Sequence, residues 1–336
     1  MDVIIDGHGL FVGKHQGRIR VFREKKVVQE TPIVHIKQIV VVARSVGISS
    51  DVIQICCEEG IPIHFLGRTG TPLAALYAAG LTGTVLTRRA QLLAYTTSKG
   101  VAVSKAFVTG KLGNQMNLLR YQAKSRTDEA YLQAVRQHVD DLRAAIQDVA
   151  DLSGNVVDEM RISLLAIEGR AAQSYWKSIK AVLPAELAWE GRETRGAQDL
   201  FNSLLNYGYG VLYTQVEQAI LLAGLDTYAG FLHADRPGKP SLVLDLIEEF
   251  RQCVVDRTII GLLNKHVPLE QDEEHRLTET TRRKVAEKVL ERLDASAELY
   301  EGKRQALRFI LQCQARHLAS FLRGDREQYT PFVAGW

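Results

Sequence analysis

Leu132, Val135, Val139, Leu142, Ile146 and Val149 follow one another at intervals of 3, 4, 3, 4 and 3 residues. Apolar side chains at those intervals share one stripe of an α-helix, so the segment has to bury that seam against other helices. Ser153-Gly154-Asn155 breaks the stripe, and a helical pattern resumes from Val157 to about Leu183. Pro184, Gly191 and Gly196 mark a loop, and Ala197–Leu225 reads as another long helix with Gly224 near its end. Thr278 or Thr280 can cap a helix carrying Val285, Val289 and Leu293. Leu307, Ile310, Leu311, Leu318 and Leu322 define the last helix, and a tail with Pro331, Phe332 and Trp336 can dock its aromatics on the core or on a partner.

The first ninety residues obey a different period. Asp2–Asp6, Leu10–Val12, Arg18–Phe22 and His35–Val42 are short β-branched or apolar runs separated by glycine and turn residues, which is the signature of strands. Ser50 and Asp51 open a short helix that stops at Gly60, and Ile61–Leu66 and Thr71–Ala78 flank a turn at Gly67-Arg68-Thr69-Gly70. The class is therefore α+β. Residues 1–90 form a small sheet domain with one covering helix, 91–103 a linker within a mixed, partly helical stretch from Gly80 to about Val103, and 104–336 a larger α-helical domain.

Composition excludes several classes. With 336 residues, 46% apolar and 24% charged, the chain is ordinary for a globular protein of about two domains. No apolar run approaches the roughly 18 residues needed to span a bilayer, and MDVIIDGHGL is not a secretory leader. Cys56, Cys57, Cys253 and Cys313 make no C-x-x-C pair, so neither a zinc ribbon nor a disulfide framework is expected, and reduced thiols in the cytoplasm are. No phosphate-binding G-x-x-x-x-G-K-[ST] loop and no G-x-S-x-G elbow occurs. The net charge of +3 decides nothing, but its distribution does. From Gly60 through Thr127 there is no Asp or Glu, while Arg68, Arg88, Arg89, Lys99, Lys105, Lys111, Arg120, Lys124 and Arg126 fall in the same stretch. A surface built from it would be positive and suited to phosphate backbones.

The densest chemistry lies in FLHADRPGKPSLVLDLIEEFR, Phe231 to Arg251. His233 precedes a loop with Pro237, Gly238, Lys239 and Pro240, and Ser241 opens a helical segment bearing Asp245, Glu248 and Glu249. On a regular helix these acids share a face, and the loop can fold His233 back over it to make a divalent-metal site. Acids near a helix start are also favourable dipole chemistry, so spacing alone leaves both readings open, as it does the choice between Glu248 and Glu249. A second acid, Glu168, stands among Leu164, Leu165, Ile167, Gly169, Ala171 and Ala172 and must find a cation or lose its charge. A salt bridge to Arg170 or Arg161 is the alternative to a metal. Asn202, Asn206, Tyr207, Tyr209 and Tyr213 sit on one long helix, where tyrosines either stack on bases or line the edge of a core.

Taken together these pieces resemble the CRISPR adaptation integrases, metal-dependent DNA endonucleases that insert new spacers into a repeat array. IPIHFLGRTGTPLAAL, IEGRAAQSYW, LLNYGYGVLY and AGFLHADRPGKPSLVLDLIEEFR match in order and span nearly the whole chain. The resemblance implies metal ligands at Glu168, His233 and Glu248, holding Mg²⁺ or Mn²⁺, with Asp245 a supporting acid. It prefers Glu248 over Glu249. Lys239 and, more weakly, Tyr213 match positions that can meet DNA. Arg88, Arg89, Lys105 and Arg120 of the acid-free stretch are the further candidates for phosphate contact.

The resemblance also implies a β-sandwich-like N-terminal dimerisation domain and an all-α catalytic domain. It implies a homodimer, with two dimers flanking a dimer of a small ferredoxin-like CRISPR-associated partner, and double-stranded DNA fragments and CRISPR repeat DNA as substrates. The expected reaction is phosphodiester transesterification from the fragment's 3′-hydroxyl. The nitrogen ligand favours Mn²⁺ over Mg²⁺. A non-catalytic DNA-binding scaffold and a general metal-dependent nuclease without joining activity are the competing readings.

Overall fold

The computed structural model describes residues 1–78, 85–124, 126–194, 196–295 and 298–335. It is α+β, with a strand-rich N-terminal region followed by a helical one. The chain divides into two compact units. One comprises Met1–Leu81, Gly196–Thr214 and Pro268–Leu290; the other comprises Thr82–Arg195, Gln215–Val267 and Glu291–Trp336.

The first unit contains β1 (Asp2–Ile5), β2 (Leu10–His15), β3 (Arg18–Arg23), β4 (Lys26–Pro32), β5 (Gln38–Val41), β6 (Gly47–Ile48), β7 (Ile63–Leu66) and β8 (Pro72–Leu76), with α1 (Ser50–Glu58) between β6 and β7. They form two four-stranded sheets in the orders β1-β5-β7-β8 and β4-β3-β2-β6. Val3, Ile5, Ile39, Val41 and Ile63 of one sheet share a core with Leu10, Val12, Ile19 and Val21 of the other, and α1 adds Val52 and Cys56. Alternation places these side chains on inward faces, as in a sandwich. The run expected as one strand from His35 begins as a 3₁₀ turn, Ile33–His35, and extends only from Gln38. Ser49, one residue earlier than expected, caps α1 by accepting from the Val52 amide.

The second unit begins with α2 (Val85–Ala94), α3 (Ser98–Ala123), α4 (Glu129–Asp151) and α5 (Val157–Lys180). The linker, 91–103, expected as part of a partly helical stretch, is largely helical, divided between the end of α2 and the start of α3; residues 80–84 of that stretch lie outside the described residues. Asp128 caps α4 by accepting from the Ala130 and Tyr131 amides at 3.0 and 3.3 Å. The α4 seam turns Val135, Val139, Leu142 and Val149 inward, against α3 and α5.

After α6 (Leu200–Leu222) the regular helix expected from Ser241 onward does not form. α7 (Ser241–Leu246) passes into a 3₁₀ turn at Ile247–Glu249 and a π-helical turn at Arg251–Asp256 before α8 (Arg257–Asn264). α9 (Glu279–Asp294), a short hairpin of β9 (Glu298–Tyr300) and β10 (Lys303–Gln305), and α10 (Leu307–Arg323) complete the chain. The hairpin is too short for periodicity to have shown it. Among the described residues no helix is long and apolar enough to cross a membrane.

Candidate active site

Asp245, on α7, is fully buried and shapes the loop before it. Its Oδ2 accepts from the Phe231 and Leu232 amides at 2.6 and 3.1 Å, and its Oδ1 accepts from the His233 amide at 2.9 Å. The same Oδ1 lies 2.8 Å from His233 Nδ1. Ser241 Oγ accepts from the Gly230 amide at 3.0 Å, and a Cβ at Gly230 would stand 2.7 Å from Ser241 atoms, so only glycine allows this closure. Arg161, from α5, donates to the Phe231 and Leu232 carbonyls, each at 3.1 Å. Gln91, from α2, donates to the Asp226 and Ala229 carbonyls at 2.9 and 2.7 Å. The loop carrying His233 is thus held from three sides.

Across the passage from α7 into the 3₁₀ turn the three acids of the motif meet different partners rather than lining one face. Asp245 faces the His233 loop. Glu248 turns toward α3 and α5, where Lys111 Nζ lies 2.9 Å from its Oε2 and also donates to Glu168 Oε1. Arg251 NH1 lies 2.7 Å from the other Glu248 oxygen. Burial alone would push the Glu248 carboxyl up; the charges of Arg251, Lys111 and His233 together outweigh it and hold the group at about 2. For Lys111 burial opposes the charge, but Glu248 and then Glu168 prevail and raise its pKa.

Glu249 turns to the C-terminal tail, where its carboxylate accepts from the Tyr329 hydroxyl and, at 2.8 Å, from the Phe332 amide. Burial pushes this carboxyl up to about 8. Phe332 stacks on Phe250 with ring centroids 5.4 Å apart, and Asn114 of α3 ties down the Glu249 and Phe332 carbonyls at 3.0 and 2.8 Å. A Cβ at Gly110 would stand 2.8 Å from Pro331, so that glycine admits the tail. The tail aromatic Phe332 therefore docks on the core, while Trp336 lies outside the described residues.

Glu168 and Glu248 are brought together around one ammonium, and His233 is held nearby with Nδ1 engaged by Asp245. Among the described residues no group of three or more His, Cys, Asp or Glu is spaced to hold a metal ion. The donor types of Glu168, Glu248 and His233 are nonetheless those that such an ion takes. Glu248 Oε2 is buried and meets the Lys111 ammonium at 2.9 Å without well-directed hydrogen-bond geometry. Two carboxylates and an imidazole suit a hard to borderline divalent ion. The partner of Glu168 is Lys111 and not, as the alternative had it, Arg170 or Arg161; Arg170 stands 3.8 Å from Asp148 instead.

The candidate DNA contacts divide. Lys239 lines a cleft of about 400 Å³ with Tyr228, Asp235 and Arg236. Arg89 and Arg120 are exposed and Arg88 is half-buried. Lys105 is spent on structure, because its Nζ donates to the Ala150 and Leu152 carbonyls at the end of α4. Lys99 does the same for α10 through the Leu322 carbonyl at 2.9 Å. The acid-free stretch is therefore no continuous positive face: lysines inside it neutralise helix C-termini and buried acids. Tyr213 is half-buried on the part of α6 that belongs to the strand-rich unit, and Tyr207 is core. Lys111, Arg251, Arg161 and Asn114 were missed as site residues. Arg251 shows an i+3 spacing from Glu248, Lys111 stands in the acid-free basic stretch and Arg161 is a salt-bridge candidate for Glu168, while Asn114 carries no sequence signal.

Comparison with known proteins places these residues in context. The family described as CRISPR associated protein Cas1 matches residues 3–291. A CRISPR-associated endonuclease Cas1 from Archaeoglobus fulgidus is 36% identical, covering 100% of both chains. Among solved structures, a casposase bound to integration product superposes with a TM-score of 0.82 over 98% of this chain and 92% of that one, at 22% identity. A chain of a Cas6-RT-Cas1–Cas2 complex superposes with a TM-score of 0.79 over 99% of this chain and 36% of its own length, at 20% identity. At such identities the two structures establish the shared fold.

Proposed function

Because the chain belongs to the CRISPR-associated Cas1 family, we propose that it is a metal-dependent DNA endonuclease and integrase that joins the 3′ ends of a DNA fragment to a CRISPR repeat. The observation that carries the reading is the convergence of buried Glu168 and Glu248 on one cation beside a carboxylate-held His233.

Glu168, Glu248 and His233 would hold Mn²⁺ or Mg²⁺, which when bound polarises the phosphoryl oxygen and stabilises charge on the entering and leaving oxygens. Asp245 fixes the imidazole through Nδ1, leaving Nε2 as its ligand atom. In the joining step the fragment's 3′-oxygen bonds to phosphorus as the repeat's own 3′-oxygen leaves; the proton lost by the first is matched by one gained by the second. One phosphodiester replaces another, so the step needs no nucleotide hydrolysis. Lys239, Arg89 and Arg120 would hold phosphates and contribute affinity rather than sequence readout. A homodimer working with a small ferredoxin-like partner is the assembly this reading expects. It draws support from the Cas1–Cas2 complex whose chain shares this fold.

The test is a strand-joining assay with a double-stranded fragment and repeat-bearing DNA in Mn²⁺, Mg²⁺ or chelator. Branched joined products that require metal and disappear in Glu168→Gln, His233→Ala and Glu248→Gln are expected. Cleavage without joining would indicate a simple nuclease, and binding without turnover a scaffold.

A further inference from the structure

We propose that Lys111 is a built-in stand-in for the metal, its ammonium occupying the space between Glu168 and Glu248 until a divalent ion displaces it. The inference rests on the metal reading above and adds a residue to it that the sequence motifs do not contain.

Three observations carry it. First, Glu168 and Glu248 come from different elements and are 9% and 2% exposed, yet converge on a single Nζ. Two carboxylates facing each other out of water need a positive charge between them, or one must take up a proton. Second, that charge is poorly matched as a hydrogen-bond donor. Nζ directs its hydrogen bond to Glu168 Oε1, and its 2.9 Å contact with Glu248 Oε2 is an ion pair without well-directed hydrogen-bond geometry. An ammonium has three directed donors, whereas a spherical ion makes no angular demand. Third, Lys111 is not sealed off from solvent. Its side chain is 13% exposed, and its flexible four-carbon stem can carry the ammonium away from the pair.

Charge counting gives the direction of the exchange. Glu168, Glu248, Lys111 and Arg251 touch one another in pairs and sum to zero. A divalent ion added with Lys111 still in place would raise the charge of this largely buried cluster by two. Displacing Lys111 lowers that rise to one. Lys111 and the metal are therefore alternatives at the same carboxylates, and without metal the pair is neutralised by the protein's own cation.

Two measurements test this without reference to turnover. Mn²⁺ binding, read from the electron paramagnetic resonance signal of the free ion, should be roughly tenfold or more tighter in Lys111→Met than in wild type, because a competing charge has been removed. In wild type, amine-reactive labelling read by mass spectrometry should find Lys111 protected in chelator and reactive in Mn²⁺, with Lys99 unchanged as the internal control. Equal or weaker Mn²⁺ binding by a folded Lys111→Met, or Lys111 labelling indifferent to Mn²⁺ in a wild type that binds it, would overturn the exchange alone. If wild type binds no Mn²⁺ and Lys111→Met binds none either, the metal reading falls with it. The labelling arm uses the unaltered chain, so it decides even if Lys111→Met fails to fold.

Discussion

Asp245 Oδ1 lies 2.8 Å from His233 Nδ1 while the same carboxylate accepts the Phe231, Leu232 and His233 amides. One buried acid thus sets both the path of the loop and the face of the imidazole. Asp245→Ala strands the buried Phe231 and Leu232 amides, each costing about 1–3 kcal/mol, and the part-buried His233 amide, and should destabilise the protein by several kcal/mol in urea unfolding. Asp245→Asn keeps the shape but weakens the hold on Nδ1. It should lower Mn²⁺ affinity by roughly 10–100-fold with a smaller loss of stability. Wild-type affinity in Asp245→Asn would show that the loop orients His233 by other means.

Arg251 makes the second contact to Glu248, at 2.7 Å. Its charge comes first among those holding the Glu248 carboxyl at about 2 against burial. Arg251→Met leaves that carboxylate with Lys111 as its remaining ion-pair partner. A buried pair broken on one side costs about 3–5 kcal/mol, and the low end applies here because Lys111 stays. Denaturant unfolding at neutral pH in chelator measures it, and a change below about 1 kcal/mol would mean that Arg251 contributes little to the cluster.

Much of this architecture was legible because it is local. The α4 seam announced itself through periodicity, and Val135, Val139, Leu142 and Val149 are buried accordingly. The break after Leu246 was not legible. It goes with long-range packing, in which Asn114, Tyr329 and Phe332 hold Glu249 against α3 and the tail. That packing also separates Glu248 from Glu249, which spacing alone could not do. Lys111 was invisible as a site residue for the same reason: Glu168 is 57 residues away along the chain, and no short motif joins them. Whether a lysine of the acid-free stretch meets solvent or, like Lys105, carbonyls at the end of α4 is decided only in three dimensions, where charge sign gives no guidance.

In the strand-rich unit, burial pushes the Asp6 carboxyl up from 3.8 to about 6, since Arg282 at 3.5 Å is too distant to compensate fully. The folded chain therefore holds a proton there that the unfolded chain releases. The stabilisation from this group is complete below pH 3.8 and is lost as the pH rises through about 6. Allowing for solvent screening, the loss is about 1–2 kcal/mol. Asp6→Asn should flatten this part of the profile when unfolding free energies are compared from acid to neutral pH. An unchanged slope would assign the pH dependence to other groups.

Gly210, on α6, faces Gly70 in the turn between β7 and β8. A Cβ at Gly210 would fall 1.5 Å from the Gly70 carbonyl oxygen, and one at Gly70 would fall 2.5 Å from the Tyr207 Cα. Gly70 also has a φ of +81°, which other residues adopt at a cost. The obstacles are backbone atoms, so no side chain can move aside. Gly210→Ala must separate the helix from the turn or bend one of them, and a loss of about 3 kcal/mol or more is expected. Gly261→Ala on α8 meets nothing within 4 Å and should instead gain about 0.5–1 kcal/mol from helix propensity. Urea unfolding of the two variants should therefore move in opposite directions; a Gly210→Ala protein as stable as wild type would show that this contact is looser than the structure has it.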